Sequence, residues 1–81
     1  KDYLITSCAF RDAYAIYDPE HRFKLHHDRE HRYEALYDLK SDPTERSNLI
    51  RTHPEQADHL RERLSAWLFL GRGAWATPHH Y

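Results

Sequence analysis

The chain has 81 residues, with 12 basic and 13 acidic side chains, 14% aromatic residues, two glycines and one cysteine, so there is room for one domain that buries roughly 60–65% of its unfolded surface. The near balance of charge, spread evenly over both halves, excludes the electrostatic footprint of a nucleic-acid or anionic-membrane binder, and no apolar run reaches the roughly 18–20 residues of a membrane helix. A lone Cys8 excludes an internal disulfide, while abundant aromatics and scarce glycine mark a folded composition rather than a linker.

Strand signals fill the first half. The stretch YLITSCAF (residues 3–10) is rich in β-branched and aromatic residues, and AYAIYD (13–18) sets Tyr14 and Ile16 against Ala13, Ala15 and Tyr17. Between that strand and the next, DPEH (18–21) is a turn, because proline presets φ for the second position and aspartate favours the first. RFKLHH (22–27) places Phe23 and Leu25 on one face and Arg22, Lys24 and His26 on the other, the half-buried pattern of an antiparallel sheet. After a charged loop, DREHR (28–32), the run YEALYDL (33–39) puts Tyr33, Ala35, Tyr37 and Leu39 on a shared face. Four strands joined by short connections predict a meander.

Helix signals fill the second half. Asp42, Pro43 and Glu45 have the spacing of an N-cap, a first helical position and a capping box, which predicts a short helical turn over 43–47, ended by Asn48 and Leu49. THPE (52–55) repeats the capping pattern and opens a longer helix over about 53–70. There Ala57, Leu60, Leu64, Trp67 and Leu68 fall on one stripe, and Gly71 is the natural stop. Phe69 and Leu70 lie off the stripe and require another surface, either the tail over 71–81 or something outside the chain. The expected architecture is α+β: one domain over 1–81, with a small antiparallel sheet of about four strands and a C-terminal amphipathic helix packed on it.

The residues from Leu36 onward carry a resemblance. ALYDLKSDPTERSNLI, followed by HPEQADHLRERLSAWL, resembles the C-terminal end of the sulfatases, of the alkaline phosphatase superfamily. A strand ending in Leu36, Tyr37, Asp38 and Leu39 is followed by Asp42, Pro43 and Glu45, then Asn48 and Leu49, then a helix with Leu60, Leu64 and Trp67. RFKLHHD is similar to the strand that precedes this motif in the family, and the likeness covers roughly residues 22–68. It implies a small four-stranded antiparallel sheet with a helix on it, completing a hydrolase of sulfate esters. It also implies that the calcium ion and the formylglycine of that chemistry belong to a separate N-terminal domain. Cys8 is followed by AFRD, so Phe10 stands where the family's nucleophile motif needs proline and Asp12 where it needs arginine. No catalytic residue and no metal ligand is therefore assigned to this chain, and no cofactor is expected in it.

Lys24, His26 and His27 are the substrate-cleft candidates, since a sulfate ester is an anion. Phe69, Leu70 and Trp75 are the interface candidates. His27 and His31 have i,i+4 spacing, but the intervening DRE does not make the zinc-helix pattern, and solvated loop histidines are the preferred reading. Cys8 reads as a small buried hydrophobe, and Arg61, Glu62 and Arg63 as part of a solvated, salt-bridged helix face. The expected partner is the catalytic domain of the same protein in cis, and Lys1 in place of methionine agrees with a piece of a longer chain. The alternative is a standalone binding or oligomerisation module that self-associates through an edge strand, with neither nucleic acid nor membrane as partner.

Overall fold

The structure is a computed structural model that describes residues 2–8 and 10–70. Four strands, β1 (Leu4–Ser7), β2 (Ala13–Tyr17), β3 (Phe23–Asp28) and β4 (Tyr33–Asp38), are followed by one helix, α1 (Pro54–Phe69). Each strand pairs antiparallel with its sequence neighbour in the spatial order β1-β2-β3-β4. The α+β meander with a helix packed on it is the architecture expected from the sequence.

The register explains which side chains meet the helix. Ile5, Ile16, Leu25 and Leu36 align across the sheet, and cross-strand partners share a face. With Tyr14 and Phe23 they form the sheet half of the core, and Ala57, Leu60, Leu64 and Trp67 form the helix half. Ile16, Leu25, Leu36, Leu60, Leu64 and Trp67 are wholly buried. Tyr14 meets Trp67 edge-on at 6.1 Å between ring centroids, a favoured aromatic geometry. In β4 the residue that meets the helix is therefore Leu36, while Tyr33, Ala35 and Tyr37 share the opposite face.

Local chemistry builds the turns. After β2, the Asp18 carboxylate accepts from the Arg22 and Phe23 N–H groups at 2.7 and 3.2 Å, while the His21 N–H donates to the Asp18 carbonyl at 2.8 Å. His21 takes the left-handed conformation at φ 58°, which lets the chain reverse. After β3, the buried Asp28 accepts from both the His31 N–H and the His31 ring, each at 2.9 Å, and Arg32 is left-handed at φ 54°. The side-chain hydrogen bond from His31 is the main reason the Asp28 carboxyl sits below its ordinary range.

The corner after β4 departs from expectation. Residues 43–47 make a single hydrogen-bonded turn rather than a turn of helix: the Glu45 N–H donates to the Asp42 carbonyl at 3.0 Å, and Glu45 itself is left-handed at φ 58°. Helical hydrogen bonding cannot pass through such a residue. Asp42 still acts as an acceptor, but for the Arg46 and Ser47 N–H groups, both within 3.0 Å, and these bonds lower its carboxyl pKa. The second capping box is not formed either. The helix N-cap is His53 without a side-chain cap, Pro54 opens the helix, and the Thr52 hydroxyl donates to the Leu49 carbonyl at 3.4 Å. Cys8, expected inside a strand and buried, lies just past β1 and is exposed.

Candidate functional site

Strand alternation divides the three substrate-cleft candidates. Lys24 and His26 point to the face away from the helix, because they pair with Tyr17 and Ala15 and with Tyr37 and Ala35. His27 points to the helix side, paired with Tyr14 and Glu34. All three are half-buried. The Lys24 ammonium bonds Glu45 at 2.9 Å and stands 5.5 Å from the Tyr17 ring centroid. Burial works against its charge, but the hydrogen bond to Glu45 and the contact with Tyr17 outweigh it, and its pKa is raised. His26 stacks obliquely on Tyr33 at 6.3 Å.

The face carrying Lys24 and His26 has a floor of small residues. Ala13, Ala15 and Ala35 are buried there, beneath the larger Tyr17, Tyr33 and Tyr37 side chains. Tyr37 is pushed to higher pKa by burial first and then by its hydrogen bond with Tyr33. This is a tyrosine-rich platform with one lysine, and that lysine's charge is already neutralised by Glu45.

On the helix side, His27 belongs to a network that the sequence did not reveal. Its Nδ1 lies 2.7 Å from a Glu34 carboxylate oxygen. The same carboxylate takes a two-pronged bond from Arg61, with Nη2 to Oε1 at 2.7 Å and Nε to Oε2 at 2.9 Å. Arg61 also donates to Asp58 one turn earlier. Arg61 therefore ties α1 to β4 instead of decorating a solvated face. The hydrogen bond from Arg61 is the leading cause of the lowered Glu34 pKa, with His27 adding to it. A recess of about 540 Å³ at the β3–β4 turn is lined by His27, Asp28, Arg29, Arg32, Tyr33 and Glu34. Three of its charged groups pair within the chain: Asp28 with Arg11 and His31, Arg29 with Asp12, and Glu34 with Arg61.

His27 and His31 do not converge, since each holds a different carboxylate. Among the described residues no group of three or more His, Cys, Asp or Glu side chains is placed to hold a metal ion. Of the interface candidates, Phe69 is 89% and Leu70 52% exposed, while Trp75 lies outside the described residues. Phe10, in the β1–β2 loop, is 96% exposed. The contact of Tyr14 with Trp67 brings the start of β2 to the C-terminal end of α1, so Phe10, Phe69 and Leu70 belong to the same end of the molecule. The strand signal over residues 3–10 places Phe10 within a strand, whereas β1 ends at Ser7 and Phe10 stands in the loop that follows.

Fold and surface together define a small α+β domain that exposes Phe10, Phe69 and Leu70 at one end, with Leu4 and Tyr33 also exposed. No protein-family model matches the chain, and no curated protein is significantly similar to it.

Proposed function

We propose that the chain is the C-terminal structural subdomain of a sulfatase-like hydrolase, without a nucleophile or metal site of its own. The observation that carries the reading is the exposure of Phe69 and Leu70 at the C-terminal end of a helix whose Ala57, Leu60, Leu64 and Trp67 are buried. A lone domain of this size gains nothing by leaving such side chains in water, and a catalytic domain of the same protein is the partner that covers them. The residues that carry the family resemblance support the reading in a second way: Leu36, Asp38, Asp42, Glu45, Asn48 and Leu49 each hold a turn or an edge in place, as befits a scaffold. Lys24 and His26 are then the candidate cleft-wall groups on the face away from the helix, Lys24 in its pair with Glu45, with His27 turned to the other side.

A second reading, a standalone oligomerisation module, is favoured by one observation: β1 has no strand on its outer side among the described residues. The deciding experiment is hydrolysis of an aryl sulfate reporter by the 81-residue chain and by the full-length gene product, side by side. Activity confined to the longer protein is the expected result, with loss of that activity or of solubility in a Phe69→Ser, Leu70→Ser variant. Activity in the short chain would overturn the subdomain reading; inactivity of both, with a stable oligomer from the short chain, would replace it with the module.

A further inference from the structure

The two edges of the sheet are finished differently. Among the described residues β1 ends the sheet on one side, while on the other the outward-facing groups of β4 belong to Glu34, Leu36 and Asp38. The Leu36 N–H donates to Asn48 Oδ1 at 3.0 Å, and the Leu36 carbonyl accepts from the Leu49 N–H at 2.7 Å. Asn48 Nδ2 donates to the Glu34 carbonyl at 3.3 Å, and the Asp42 N–H donates to the Asp38 carbonyl at 2.8 Å. These are the groups that a fifth strand would use. A carboxamide carries one acceptor and a donor in the same planar arrangement as a peptide unit, so the Asn48 side chain stands where a peptide of that strand would lie. It is fixed from behind by the Ile50 N–H, which donates to the same Oδ1 at 3.0 Å. Leu49 and Ile50 pack against the core and anchor the segment.

We propose that Asn48 is an edge guard: its carboxamide occupies the hydrogen-bonding positions of a fifth strand and stops β4 from accepting a strand of a second copy of this chain. The need for a guard is local. β4 is a six-residue strand of sequence YEALYD, in which the two tyrosines favour extended structure, and a strand edge of that length left open recruits other chains. The inference is independent of the hydrolase reading, because it concerns the closed edge and not the exposed end.

The test compares wild type, Asn48→Ala and Asn48→Ser with Leu64→Val, a core variant that loses stability away from the β4 edge. Amide exchange of Leu36 is followed by NMR, and mass by light scattering over a range of concentrations. Both Asn48 variants are expected to exchange the Leu36 amide about tenfold faster or more and to self-associate as concentration rises, while Leu64→Val stays monomeric. If Asn48→Ala does not fold, Asn48→Ser decides alone. Asn48 variants that remain monomeric, or that associate no more than Leu64→Val, overturn the proposal.

Discussion

Replacing Arg61 by methionine keeps its aliphatic stem over the sheet but removes the fork to Glu34, and Glu34→Gln removes the charge from the other side. Charge-assisted hydrogen bonds contribute about 1.5–3 kcal/mol each when well shielded. Here the Arg61 side chain is 36% and the Glu34 side chain 21% exposed, so solvent screening reduces the expected coupling between them to about 1–1.5 kcal/mol. In a domain of this size 1 kcal/mol moves the thermal midpoint by roughly 4–8 °C. The coupling is read from urea unfolding of wild type, both single variants and the double variant, which removes effects that do not depend on the pair. Glu34 has a folded pKa below its ordinary value. Its contribution is thus complete above the unfolded carboxylate value near about 4.3 and is lost as pH falls through the folded value. The coupling should be whole at about pH 7 and smaller at about pH 3. A coupling under about 0.3 kcal/mol at neutral pH, or one unchanged by acid, would show that Arg61 merely lies beside Glu34.

Other outcomes follow from individual residues. Trp67→Ala should cost about 3–5 kcal/mol and leave little folded protein by far-UV circular dichroism, because the indole is wholly buried against Tyr14. Phe69→Ser should change the chain's own stability by less than about 0.5 kcal/mol in urea titration, since the ring is 89% exposed. Arg32→Gly should stabilise the β3–β4 turn by about 0.5–1 kcal/mol, measured as a raised thermal midpoint, because Arg32 holds φ 54°, where a Cβ is unfavourable. Asp42→Ala should lower the midpoint by releasing the Arg46 and Ser47 N–H groups, and in wild type the benefit of Asp42 should fade as acid titrates its depressed carboxyl.

The strands and the helix stripe were legible in the sequence because each rests on a strong local period. Tyr14 and Ile16, Phe23 and Leu25, and Ala57 through Trp67 all point where their spacing says. Capping was less legible, since the spacing of Asp42 and Glu45 is compatible with a helix start. The competing partner for Glu45 is Lys24, twenty-one residues away, and the left-handed backbone at Glu45 has no signature in residue type. Arg61 was misread for a related reason: its position on the helix flank is visible, but Glu34 comes beneath it only once the sheet register is set. Lys24, His26 and His27 adjoin in sequence, yet strand alternation separates His27 from the other two.

Since every strand lies beside its predecessor, the sheet can assemble from one hairpin after another, each closing a short loop at small entropic cost. What that assembly leaves open is the face of Tyr14, Ile16, Leu25 and Leu36, which acquires its cover only from α1, the final described element. The last sixteen-residue helix is thus the keystone of the domain. A chain interrupted before Pro54 would hold a nearly complete set of strands and almost none of the interior that makes them worth pairing.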